Sequence, residues 1–186
     1  MVEKQSIRRQ IKTLIKSLSE VEKQAISIHV MAQLEANAHF ASSHTVVLFS
    51  SLPDEVQTDS ILLKYAQKKR ILLPVVKGND ILLCPFLGFE KMRKGAFGIL
   101  EPTDISHPIT NFSSIDTIVV PGVAFDIHGH RLGRGKGYYD RLLSQKGLEN
   151  AYKLGICFPC QIVGTLPTEP HDIAMDNVIS VSSRSL

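Results

Sequence analysis

A chain of 186 residues is close to the size of one domain, and a single domain over 1–186 is expected. Area scaling takes about 70% of its surface out of water on folding, enough for a core without disulfide or metal staples. Hydrophobic residues at 44% and charged residues at 21% exclude a disordered chain, and a net charge of +3 is too small to make nucleic acid the default partner. Three cysteines cannot build a disulfide framework, and their odd number argues for a reducing compartment. Met1 to Lys16 is polar and lysine-rich, without the apolar run of a secretory leader. The longest greasy stretches, Ile71–Val76 and Ile81–Phe89, fall short of the roughly 18 residues of a membrane span. A cytoplasmic monomer with no membrane partner is therefore expected.

The first stretch carries Ile7, Ile11, Leu14, Ile15 and Leu18 at the spacing of one helix face, beside a lysine and arginine stripe at Lys4, Arg8, Lys12 and Lys16. Ser19 and Glu22 form a capping-box pattern for a second helix through about Leu34, with Val21, Ala25, Ile28 and Ala32 expected inward. Thr45–Ser50 reads as a buried strand. After the polar break Leu52–Gln57, Thr58 is placed to cap a third helix bearing Ile61, Leu62 and Tyr65. Ile71–Val76 and Ile81–Cys84 flank the turn residues 77–80 and form a candidate hairpin. Residues 85–115, rich in Gly and Pro, are the least regular part. Thr117–Val120 is another buried strand, a helix runs from about Gly137 to Lys146, and Leu154–Phe158 and Val178–Val181 close the series. Two leading helices followed by alternating strands and helices predict a three-layer α/β/α sandwich with a mostly parallel sheet. Ligands in such sheets sit beyond the carboxyl ends of strands, so the loops after Ser50, Val120 and Phe158 are the places to search.

Five of the 12 glycines fall within Gly122–Gly137, together with Arg131, Arg134 and Lys136 and just ahead of Arg141. Glycines at 133, 135 and 137 leave main-chain N–H groups unshielded by Cβ and allow positive φ, so successive amides can converge on an anion. The start of the following helix adds partial positive charge, and Arg134 and Lys136 add full charges. The segment matches neither a P-loop, since Gly137 rather than Ser or Thr follows Lys136, nor the GxGxxG dinucleotide pattern. On residue chemistry alone a phosphate cradle and a flexible loop with solvated charges both remain open. Asp140, about one turn into the helix, is either a Mg²⁺ ligand beside phosphate or an acid favoured by the helix dipole.

The run Pro121-Gly122-Val123-Ala124-Phe125-Asp126, then Gly129, then Arg131 through Arg141 (RLGRGKGYYDR), resembles the signature of the 5-formyltetrahydrofolate cyclo-ligases, also called methenyltetrahydrofolate synthetases. Lys4 and Arg8, Glu55-Val56-Gln57-Thr58, Gly98-Ile99-Leu100-Glu101-Pro102, and His171-Asp172 with Asp176 are similar to further blocks of that family in the same order. The resemblance implies that ATP and 5-formyltetrahydrofolate give 5,10-methenyltetrahydrofolate, ADP and phosphate, with Mg²⁺ as cofactor. It implies ATP contacts from Lys4, Arg8, Arg131, Gly133, Arg134, Gly135, Lys136, Gly137, Tyr138 and Tyr139, with Lys136 and Arg134 stabilising the transferring phosphoryl group. It implies substrate contacts from Glu55, Ser50 and Tyr138, and metal contacts from Asp140 and Asp172. A carboxylate such as Glu55 suits adjacent pterin N–H groups because it accepts two at once. Ser50 departs from the family's usual residue type at its position, Tyr139 alternatively anchors the helix in the core, and Asp172 alternatively serves a turn after Pro170-His171.

Other signals carry less. Cys157-Phe158-Pro159-Cys160 follows a strand rather than opening a helix, which disfavours a redox pair, and zinc would need two further ligands. His128 and His130 fit a polar loop, and Gln67–Arg70 a helix end whose cations suit the dipole. Another phosphate- or CoA-handling enzyme of this architecture, and an RNA-binding domain using the Arg/Gly loop, remain as rival readings.

Overall fold

A computed structural model describes residues 2–95, 98–170 and 172–181. Helix α1 spans Val2–Ser17, α2 Glu20–Ala36 and α3 Ala38–Ser42, followed by strand β1 at Thr45–Val47 and helix α4 at Asp59–Tyr65. Then come β2 (Arg70–Lys77), β3 (Asp80–Pro85), β4 (Met92–Lys94), β5 (Leu100–Pro102), β6 (Thr117–Val120), β7 (Ala124–Asp126) and β8 (Arg131–Leu132). Helix α5 (Tyr138–Leu143), β9 (Tyr152–Ile156), β10 (Ile162–Val163) and β11 (Asn177–Ile179) complete the order.

The central sheet has six strands in the order β11-β9-β6-β1-β2-β3. All neighbours pair in parallel except β2 with β3, an antiparallel hairpin whose register runs from Leu72 opposite Pro85 to Lys77 opposite Asp80. Alternation along the strands sends side chains to two cores, as the pleat requires. Val46, Leu73, Val119 and Leu154 meet Ile11, Ile15, Val30, Leu34 and Ile61 from the α1–α4 side. Val47, Leu72, Ile118 and Val120 meet Phe125, Leu142, Leu143 and Leu148 on the opposite face. The expected three layers are present, with α5 the one α-helix on the second face among the described residues.

Several local expectations hold and several do not. Ser19 forms the capping box with Glu22, giving two of the orphan amide donors of α2 a partner. The inward face of α2 is Ile26, Ser27, Val30, Met31 and Leu34, whereas Val21 and Ile28 are 78% and 62% exposed. The reason is a second apolar stripe, offset around the same helix, that aligns better with the sheet. Leu14 is likewise largely outside the core of α1. Thr58 precedes α4 but does not cap it: its hydroxyl donates instead to the Phe49 carbonyl at 2.6 Å. Helix α5 ends at Leu143 rather than near Lys146, and the irregular stretch holds a short β4–β5 hairpin. No described helix is long and apolar enough to cross a membrane.

Sequence order steps outward from β1 to β2 and then returns to β6 on the other side of β1. The point where the order reverses lies between β1 and β6, the place where open α/β sheets hold ligands beyond their strand ends.

Candidate active site

A cleft of about 300 Å³ opens at that reversal point. Its floor and one wall are apolar: Phe49, Leu52, Pro74, Val76, Ile81 and Ile99. The other wall is the glycine-rich segment, through Arg131, Gly133, Arg134, Lys136, Gly137, Tyr138, Tyr139 and Asp140. Ser50 and Glu55, from the loop after β1, and Glu101, from β5, line it as well. The loops expected after Ser50 and Val120 thus meet at one place. A second cleft of about 260 Å³, lined by Arg8, Lys12, Asp54, Val123 and Gln161, shares Gly122 and Arg134 with the first.

The glycine loop is built as the sequence suggests at two of its three glycines. Gly135 and Gly137 have φ of +96° and +69°, whereas Gly133 does not need a positive φ. A Cβ at Gly133 would instead approach the Arg131 guanidinium to 2.9 Å, so close packing explains that glycine. Among the described residues, none of the five amides from Gly133 to Gly137 donates a hydrogen bond within the protein. The loop is held by its carbonyls: Arg8 Nε donates to Gly133 O at 2.8 Å and Arg141 Nη1 to Lys136 O at 3.1 Å. Helix α5 has only six residues, so its dipole adds little, and any anion-binding capacity of this loop rests on its own amides.

The cations divide into held and unheld. Arg131 has a side chain only 4% exposed, bonded to the Asp140 carboxylate and the Pro121 carbonyl and lying over the Tyr139 ring. It is therefore an interior pillar of the cleft wall. Arg134 donates from Nη1 and Nη2 to both Asp54 oxygens at 3.1 and 2.8 Å, and from Nη2 and Nε to Glu55 Oε1 at 2.8 and 3.3 Å. Burial works against its charge, but the bond to Asp54 and the charge of Glu55 outweigh it and raise the guanidinium pKa. The Asp54 carboxyl shifts the other way: burial pushes it up, and Arg134 more than offsets that and holds it below the usual range. Lys136 is exposed, and among the described residues its ammonium has no hydrogen-bond or ion-pair partner.

Of the remaining candidates, Glu55 is buried, with Oε1 on Arg134 and Oε2 accepting from the Leu52 amide at 3.0 Å. Ser50 is buried at the end of the extended run after β1. Tyr138 donates to Gly78 O at 3.3 Å, while Arg141 lies over its ring. The Tyr139 hydroxyl is buried with no hydrogen-bond partner, and burial, then the nearby Glu55 charge, raise its pKa despite Arg131. Arg8 faces the second cleft. Lys4 and Asp172 line neither cleft: they pair with each other at 3.2 Å, and Lys4 also meets Glu169 at 3.0 Å. Asp176 accepts from the Lys153 amide at 2.7 Å and ties β9 to the segment before β11, and His171 lies outside the described residues. Sequence reasoning named Lys12 only in the stripe of the first helix and did not single out Asp54, Gln161 or the apolar lining as site residues, because topology alone brings them to the clefts. Glu101 was legible only as part of a resembling block.

Among the described residues no three His, Cys, Asp or Glu side chains converge as a metal cage. Asp140 stands on the cleft wall beside the unpaired amides, with Oδ1 on Arg131. That donor set fits Mg²⁺, which takes one or two carboxylates and draws its other ligands from phosphate and water. The Cys157–Cys160 pair is no thiolate centre: burial pushes Cys157 up to about 12 and raises Cys160 as well.

Comparison with known proteins decides the family. The model of the 5-formyltetrahydrofolate cyclo-ligase family matches residues 1–181. The chain belongs to the 5-formyltetrahydrofolate cyclo-ligase family. A Caenorhabditis elegans relative, named a probable 5-formyltetrahydrofolate cyclo-ligase, is 32% identical over 95% of this chain and 91% of its own. The Haemophilus influenzae 5-formyltetrahydrofolate cyclo-ligase is 27% identical over 95% of this chain and 96% of its own. The solution structure of Aquifex aeolicus 5,10-methenyltetrahydrofolate synthetase superposes with a TM-score of 0.83 at 35% identity, covering 95% of this chain and 89% of that one.

Proposed function

We propose that this cyclo-ligase uses ATP, with Mg²⁺, to close 5-formyltetrahydrofolate into 5,10-methenyltetrahydrofolate, releasing ADP and phosphate. The formyl group on N5 is an amide, and its oxygen is a poor leaving group. Transfer of the γ-phosphoryl to that oxygen breaks its bond to ADP and makes the oxygen part of a phosphate leaving group; N10 attacks the activated carbon and gives up its proton, and the C–O bond breaks to release phosphate. The step demands alignment and charge stabilisation rather than a covalent nucleophile. One observation carries the reading: Gly133, Arg134, Lys136 and Gly137, whose amides have no partner among the described residues, line one cleft with the Lys136 side chain, the apolar floor and Glu55.

In this reading the Gly133–Gly137 amides hold the triphosphate, and Lys136 meets charge developing on the transferring group, with Arg134 beside it. Arg131 and Tyr139 shape the wall, Arg8 reaches the nucleotide from α1, and Lys4 joins it by leaving Asp172. Glu55 accepts from the pterin N–H edge, with Ser50 and Tyr138 alongside. Asp140, with Asp172 on ligand binding, would hold Mg²⁺, which supplies charge neutralisation on the phosphates when bound. The chain acts as a cytoplasmic, single-domain monomer on small molecules, and its three cysteines, all free thiols, suit a reducing compartment.

The test mixes protein, MgATP and 5-formyltetrahydrofolate and follows the near-ultraviolet absorbance of the methenyl product. Absorbance that rises only when all three are present supports the reading, and a flat trace overturns it.

A further inference from the structure

We propose that Asp54 is a positioning residue that keeps Arg134 in place when the substrate takes over Glu55. The inference rests on the function proposed above. Arg134 stands between the two clefts and lines both, Glu55 lines only the first, and Asp54 lines only the second. The two carboxylates grip adjacent edges of one guanidinium, Asp54 across Nη1 and Nη2 and Glu55 across Nη2 and Nε.

Their grips differ. Asp54 meets the fork with both of its oxygens, at 2.8 and 3.1 Å, the paired geometry that fixes a guanidinium in plane. Glu55 offers only Oε1, since Oε2 is occupied by the Leu52 amide. A substrate N–H edge arriving in the first cleft competes with Arg134 for that single oxygen. Asp54 does not line the first cleft, so its bonds through Nη1 and Nη2 are not contested there. Without Asp54 the arriving substrate would release Arg134, and the adjoining amides would lose their register on the phosphates. The Asp54 and Arg134 side chains are 40% and 47% exposed, and ion pairs of that exposure add little to folding stability. The work of the pair is geometric.

A double-mutant cycle tests this, with kcat and both KM values measured for wild type, Asp54→Ala, Arg134→Ala and the double variant, alongside their melting temperatures. Asp54→Ala is expected to lower kcat/KM by about tenfold or more without moving the melting temperature, the size of effect that follows from a misplaced reacting group. In the Arg134→Ala background the same change is expected to cost less than about twofold, because residues acting through one partner are not additive. Asp54→Asn, with one acceptor oxygen, falls between. An equal loss in both backgrounds, no loss at all, or activity falling only in step with melting temperature overturns the proposal. If the wild type forms no methenyl product, the proposed function falls instead. Calorimetric ATP titration of the same four proteins then judges the clamp: Asp54→Ala must weaken binding only where Arg134 is present, and equal weakening in both backgrounds overturns it.

Discussion

The two loops that face each other across the cleft are held in opposite ways. The loop from Ser50 to Thr58 is tied by its own side chains: Leu52 N to Glu55, Gln57 to the Leu52 and Glu55 carbonyls, and Thr58 to Phe49. The loop from Gly133 to Gly137 has carbonyls gripped from outside by Arg8 and Arg141, and its amides have no partner among the described residues. A surface that recognises a rigid heterocycle gains from acceptors fixed in advance, and one that receives a polyphosphate gains from donors kept unspent.

The largest effect expected from breaking this contrast is at Lys136. Lys136→Ala removes an ammonium that has no bond among the described residues; on the proposed role in phosphoryl transfer it should lower kcat about 10²- to 10³-fold. Unfolding free energy should stay within about 0.5 kcal/mol of wild type, as for other exposed positions. Denaturant titration beside steady-state kinetics checks both halves. Full activity of this variant would remove Lys136 from phosphoryl transfer.

The buried bond that anchors the opposite loop should act the other way round. Thr58 is wholly buried, and Thr58→Val leaves the Phe49 carbonyl without its donor. The expected loss is about 1–3 kcal/mol of stability, read by urea unfolding. The KM for 5-formyltetrahydrofolate should rise while that for ATP holds. An equal rise in both would mean that the two loops do not act separately.

A subtler change on the phosphate side is Gly135→Ala. At φ +96° a Cβ is strained by about 1–2 kcal/mol, although the nearest atom, in the Arg8 guanidinium, is an ordinary 3.5 Å away. The strain should appear as about a tenfold rise in the ATP KM. Gly164→Ala, in open space with no positive φ, is the matched control and should leave ATP binding unchanged.

What the sequence made legible follows the same division. Strands such as Thr117–Val120 and the hairpin of β2 and β3 declare themselves because continuous apolar runs have few other uses in a domain of this size. The capping box at Ser19 is equally local. The buried face of α2 was not legible, since Val21, Ala25, Ile28 and Ala32 make as good a stripe as Ile26, Val30 and Leu34 until a sheet selects one. Around the cleft, the glycines and cations of 131–137 stood out because they are contiguous. The grip of Asp54 and Glu55 on Arg134 joins positions about 80 apart, and no periodicity encodes it. The same holds for Lys4 and Asp172, read as separate nucleotide and metal contacts and found paired with each other.

The smallest expected effect concerns the turn that precedes the phosphate loop. Asp126 has a fully buried side chain that accepts from the amides of His128, His130 and Leu166 and from the His130 ring, all between 2.9 and 3.0 Å. Burial pushes its carboxyl up, but the Leu166 amide and the His130 contacts outweigh that and hold it below the usual range. A carboxyl depressed in the folded state binds fewer protons there than in the unfolded chain. Its contribution is therefore fully present above the unfolded value, near 4, and disappears as pH falls through the lower folded value. Asp126→Asn should lose stability by an amount that is constant above about pH 5 and shrinks steadily in more acid solution. Unfolding curves at a series of pH values, wild type against variant, read the difference. A gap that stays the same into strong acid would mean that Asp126 braces the β7–β8 turn by shape rather than by charge.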